Sequence, residues 1–217
     1  MAIELTETRR PTFPVLRHQR IGEVAPLAII RTEQRDRLRK DLSTGQLVKI
    51  PNGTDRAGNP KFRQELVVHG IAMPGIDMQV KDGEDFVTPA PGDRVRVILK
   101  GKGFGEWIEA KKTHRGGKMI VGDVLMLSTT HAQKYDQDGN PKGDVIKSQA
   151  EVDRIPRGTT VGLYGPIELL EGTEARWIDA AEAAYHADQA AERERTAIPL
   201  DPPTGGGNSY DDVEDLY

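Results

Sequence analysis

Apolar and charged residues alternate in DRVRVILK (93–100): Val95, Val97 and Leu99 fall on one side of an extended chain, Arg94, Arg96, Ile98 and Lys100 on the other. Such alternation predicts a strand with a core face and a basic face. QLVKI (46–50), FRQELVVHGIA (62–72), EWIEAKK (106–112), KMIVGDVLML (118–127) and GTTVGLYGPI (158–167) are further candidate strands. Turn-forming stretches such as MPGIDM, TPAPGD and THRGGK separate them. Two loops share a pattern, Asp55-x-x-Gly58-Asn59-Pro60-Lys61 and Asp136-x-x-Gly139-Asn140-Pro141-Lys142. Their flanking strands do not match, so both are read as turns with the same need for Gly and Asn. Short strands at this spacing predict a mainly β fold built as a small barrel or sandwich.

Two segments carry helical signals. RTEQRDRLRKDL (31–42) is rich in helix formers, with Thr32 as a possible N-cap and its bases interleaved with Glu33, Asp36 and Asp41. EARWIDAAEAAYHADQAAERER (174–195) places Trp177, Ile178, Ala181, Ala184 and Tyr185 on one face at the 3.6-residue period. That stripe predicts a helix packed on the β region, with Trp177 in the core. Pro11, Pro14 and Pro26 mark residues 1–26 as an N-terminal arm. Residues 27–195 then form the folded domain, and 196–217, with TAIPLDPPTGGGNS, a flexible linker and acidic tail.

Composition narrows the chemistry. The 217 residues include no cysteine, which excludes disulfides and thiol chemistry. No apolar run approaches the roughly 18 residues of a membrane span, so a cytoplasmic protein with no membrane partner is expected. The five histidines have no second ligand at metal spacing, and KGKGFGEW has Glu106 where a dinucleotide motif needs its third glycine. The calcium-loop pattern fails at DQDGNP, where Pro141 replaces glycine and Lys147 the bidentate acid. No catalytic residues, metal site or cofactor are therefore expected, and the chain reads as a non-enzyme.

Charge changes the picture more. The net charge is −4, yet from Asp179 onward there are ten acids against two Lys or Arg, leaving residues 1–178 mildly basic. The window LKGKGFGEWIEAKKTHRGGK (99–118) concentrates bases, glycines and a tryptophan. Read as a hairpin beside the basic strand, it makes Arg94, Arg96, Lys100, Lys102, Lys111, Lys112, Arg115 and Lys118 contacts for phosphates. Trp107 on the charged face and Phe104 at the turn are the candidates for base stacking.

The chain ends on Asp211, Asp212, Glu214 and Asp215 followed by Leu216 and Tyr217, after the Gly/Pro linker. This layout resembles the tails of single-stranded DNA-binding proteins, in particular phage replication proteins of this type. The resemblance covers the β-rich region near 46–170 and about the last ten residues. It implies an OB-like barrel that binds single-stranded DNA in replication or recombination, in the host cytoplasm if phage-encoded. It also implies a tail that competes with DNA for the basic groove and recruits replication or recombination proteins. A homo-oligomer is compatible with it. The alternative is a non-enzymatic structural or adaptor protein, such as a virion component, built on a β-barrel.

Overall fold

The computed structural model describes residues 13–41, 43–82, 84–136 and 141–197. The chain enters through β1 (Leu16–Arg17) and turns into the long strand β2 (Val24–Asp36). An excursion follows, made of β3 (Leu38–Lys40), β4 (Leu47–Lys49), β5 (Pro51–Thr54) and β6 (Pro60–Phe62). The chain returns as β7 (Gln64–Ala72), passes through the hairpin β8 (Gln79–Asp82) and β9 (Asp85–Val87), and reaches β10 (Arg94–Lys100). Helix α1 (Lys102–Thr113) runs into a 3-10 turn (His114–Gly117) and then β11 (Val124–Ser128). A second excursion holds β12 (His131–Tyr135), β13 (Pro141–Ile146), the short α2 (Gln149–Asp153) and β14 (Thr160–Tyr164). Finally come β15 (Ile167–Leu170) and α3 (Ala175–Ala197).

Five strands form the central sheet in the order β10-β7-β2-β11-β15, and every neighbouring pair is antiparallel. Its inner face carries Leu27 and Ile29 of β2, Leu66 and Val68 of β7, Val95, Val97 and Leu99 of β10, and Leu125 and Leu127 of β11. Trp107 and Phe104 of α1 cover that face at one side, and Leu16, Met78 and Val80 cover it from the β1–β8 pair. On the outer face Ala28, Ile30 and Ile71 lie under Trp177 and Ala181 of α3. The fold is mainly β, as expected, and α3 packs through Trp177 as its stripe predicts.

The sheets do not close into the small barrel expected. β10 and β15 are the two edges of the sheet and do not pair with each other. Helix α1 packs against both edges, so side chains rather than a further ladder join them.

Three local expectations are also corrected. Residues 31–42 are not a helix: Arg31 to Asp36 extend β2 and pair with β7 from His69 to Gln64, so tertiary pairing outweighs helix propensity. Residues 106–112 are not a strand but part of α1. Phe104 and Trp107 stand one turn apart there, and Lys111 and Lys112 sit in the last turn, where cations complement the helix dipole. KMIVGDVLML is strand only from Val124, because Gly122 turns the chain at φ 88°, at a point where a Cβ would lie only 3.0 Å from the Ile178 Cα. A side chain at that glycine would push α3 off the loop.

Nor do residues 13–26 form a free arm. Leu16 is buried, and residues 24–26 belong to β2. Pro26 is accommodated opposite Met126 while its carbonyl accepts from the Met73 N–H. Residues 1–12 lie outside the described residues.

Trp107, only 4% exposed, fills the gap between the sheet edges. Trp107→Ala is expected to lower the unfolding free energy by about 3–5 kcal/mol, read as a lower urea midpoint at an unchanged slope.

Candidate nucleic-acid interface

Antiparallel register places the outer-face side chains of β10, β7 and β2 in rows. From the α3 side these are Arg94–Ile71–Ala28, Arg96–His69–Arg31, Ile98–Val67–Glu33 and Lys100–Glu65–Arg35. A bulge between Ile29 and Arg31 makes the second row possible. It inserts Ile30 and returns Arg31, Glu33 and Arg35 to the outer face. The first row is mostly apolar and touches α3. The others carry the charge.

In the last row the buried Glu65 carboxylate bridges two cations, with Arg35 Nε at 2.8 Å and Lys100 Nζ at 3.3 Å. In the second row His69 lies between Arg31 and Arg96. Burial first, then the charge of Arg31, and finally that of Arg96 push its pKa down to about 4, against the opposing pull of Glu33 and Asp188. His69 is therefore neutral near pH 7. Phe13 meets the His69 ring edge-on at 6.1 Å, and the Arg94 guanidinium lies over the Phe13 ring at 4.1 Å. Asp188 of α3 accepts from Arg94 at 2.6 Å. No carboxylate among the described residues forms an ion pair with Arg96.

Beyond the last row the sheet continues into the excursion at 37–63. This segment holds seven bases (Arg37, Arg39, Lys40, Lys49, Arg56, Lys61, Arg63) against two acids, Asp41 and Asp55. None of its described side chains is buried. Three backbone hydrogen bonds form a ring at its root: Arg37 N–H to the Arg63 carbonyl (2.7 Å), Arg63 N–H to Ile50 (2.8 Å) and Ile50 N–H to Arg37 (3.0 Å). The β2–β7 ribbon forks there into the hairpins β3–β4 and β5–β6.

The residues predicted as one groove separate onto the two sides of the sheet. Arg94, Arg96 and Lys100 share the outer face as expected. Lys102, Phe104, Trp107, Lys111 and Lys112 lie on α1, which packs on the inner face. Trp107 is buried and so presents no ring to a base, while Phe104 is half-buried and packs against the core from the inner side. Lys112 pairs with Glu109 at 2.6 Å, Lys102 reaches His131 at 3.2 Å, and Lys118 is exposed after the 3-10 turn. The tail residues Asp211, Asp212, Glu214, Asp215, Leu216 and Tyr217 lie outside the described residues.

Arg115 has a different task. Its φ of 45° turns the chain, with Nε 3.3 Å from Asp123 Oδ1 and Nη2 3.2 Å from Glu171. His114 Nε2 approaches Asp123 Oδ2 at 2.8 Å, and the Ile120 N–H donates to the same oxygen at 3.0 Å. Burial alone would push the Asp123 carboxyl up. The Ile120 N–H, His114 and Arg115 outweigh it and hold the carboxyl below its ordinary range. Of the bases at this end of the window, Arg115 thus serves a structural pin built on the buried His114 and Asp123.

Sequence reasoning missed Arg31, Arg35, Glu65, His69, Phe13 and Asp188 as neighbours of the basic strand. Alternation of Arg31, Glu33 and Arg35 was a usable signal, but the intervening residues are polar too, so no hydrophobic period marked the strand. Among the described residues no group of three or more His, Asp or Glu is placed to hold a metal ion. Comparison with protein-family models, characterised proteins and solved structures finds no match to this chain.

Two outcomes follow from these environments. His69 binds a proton near pH 6.5 when unfolded and near 4 when folded, so its contribution is complete above pH 6.5 and is lost as the pH falls towards 4. The loss is of order 3 kcal/mol. His69→Gln is expected to flatten that part of the stability profile, measured by urea unfolding at pH 7 and pH 5. Asp123→Ala strands His114 and Arg115, and is expected to cost about 3–5 kcal/mol in the same assay at pH 7.

Proposed function

We propose that the protein binds single-stranded DNA without sequence preference, across the outer face of β10, β7 and β2, in replication or recombination. The observation that carries this reading is the set of rows in which Arg94, Arg96, Lys100, Arg31 and Arg35 flank β7 on both sides, leading into the basic fork. Glu33, Glu65 and Asp188 offset only part of that charge. A chain of phosphates laid along the rows would meet cations on either hand.

Topology supports the same reading. Taken in chain order, the five sheet strands lie third, second, first, fourth, fifth, and α1 separates the third from the fourth. We read this as an OB-type barrel left open between its third and fifth strands. In OB folds oligonucleotides lie over the second and third strands, flanked by the loops after the first and fourth. The counterparts here are β7 and β10, the fork at 37–63 and the β12–β14 excursion. No chemistry is required of the face, and the acidic tail fits as a tethered competitor for it that also recruits partner proteins.

With both tryptophans buried, phosphate neutralisation carries most of the affinity in this reading, and binding falls steeply with salt. The test is anisotropy of a labelled oligo-dT titrated at several salt concentrations. Replacing Arg96 and Lys100 together by Ala is expected to reduce the salt slope by about 1.4, roughly 0.7 for each lost phosphate contact. Lys111→Ala with Lys112→Ala, on the far side of the sheet, should leave it unchanged. The opposite pattern would move the groove to α1. Absence of binding at low salt would favour the adaptor reading, for which Leu38 and Leu47, each 48% exposed on the fork, offer an apolar contact.

A further inference from the structure

The Arg94 end of the outer face holds more donors than acceptors. Arg31, Arg94 and Arg96 each have a buried Nε without a hydrogen-bond partner. Asp188 meets two of these arginines. One carboxylate oxygen accepts from Arg94 Nη2 at 2.6 Å, while the other lies 3.3 Å from Arg31 Nε without hydrogen-bond alignment. Glu33 sits one row away and forms no ion pair among the described residues. His69 supplies no charge near pH 7. A planar carboxylate with two oxygens therefore fits this cradle incompletely.

We propose that the cradle is a phosphodiester subsite, and that Asp188 occupies it as a built-in stand-in displaced when a strand binds. A phosphodiester group brings acceptors in a tetrahedral array and suits the planar donor forks of neighbouring arginines. Phe13, stacked under the Arg94 guanidinium, holds that side chain over the sheet. Displacement does not require the core to open. The first half of α3 is anchored by Trp177 and Ala181, whereas from His186 to Glu194 no side chain is buried. Asp188 thus sets a threshold: a single phosphate has to outcompete a tethered carboxylate, while a polyanion held along the other rows does so through its effective concentration.

This subsite deepens the strand-binding reading and rests on it, so the experiment separates the two. Full-length wild type and Asp188→Asn are titrated with labelled oligo-dT and with an abasic phosphodiester oligomer of equal length. Asp188→Asn is expected to bind both about tenfold more tightly at low salt, with a salt slope larger by about 0.7 for one added phosphate contact. Adding Arg94→Gln to Asp188→Asn should remove the gain. Asp188→Ala, read in the same way beside thermal melts, guards against a folding defect in the first variant. If wild type binds and neither Asp188 variant gains affinity, the subsite is overturned and the strand-binding reading stands. If neither wild type nor variants bind either oligomer, both fall together. A gain confined to oligo-dT would also overturn the subsite, because it would mean that the carboxylate blocks bases rather than phosphates.

Discussion

The register between β2 and β7 is the constraint on which the molecule depends, and the bulge at Ile30 sets it. Before the bulge, Leu27 and Ile29 face the inner core and Ala28 the outer side. Strict alternation from there would turn Arg31, Glu33 and Arg35 inward towards Val68 and Leu66. Burying three ionised side chains in an apolar layer would cost far more than the ladder returns. One extra residue avoids this and uses Ile30 to seat α3. The same insertion that protects the core therefore assembles the charged rows.

The open edge has a related explanation. An open sheet of five strands exposes two edges, which invites pairing with other chains. Here α1 spans between them through Trp107 and Phe104, and Val15 makes a parallel bridge to Arg96 on the β10 side. Strand β1, paired with β8, adds cover where it contacts β10. The tryptophan that looked like a binding residue is the main bolt of this arrangement.

Much of the scaffold was legible because its signals are local. Val95, Val97 and Leu99 announced β10, FRQELVVHGIA announced β7, and the spacing of Trp177, Ala181 and Ala184 announced α3. What failed were segments whose structure is decided at long range. RTEQRD has charged residues at both parities, so only β7 tells it to be a strand. EWIEAKK alternates well enough to mimic a strand, and the requirement to bridge β10 and β15 selects the helix instead. Half the candidate site, Arg94, Arg96 and Lys100, followed from alternation. The other half needed the pairing of β2 with β7 and the return of α3, which no window of sequence contains.

The fork at 37–63 has a consequence for how such a protein changes over generations. Its root is tied by a ring of three main-chain hydrogen bonds among Arg37, Ile50 and Arg63, so no particular side chain is required to keep the branch point. Beyond that ring and the Lys49–Asp36 ion pair at the base (2.7 Å), the fingers can lengthen, shorten or exchange residues with little effect on the register of the sheet. The fingers are thus free to drift quickly while the sheet stays fixed. Related chains would then differ most in their outermost hairpins and share the plain, side-chain-blind knot beneath them.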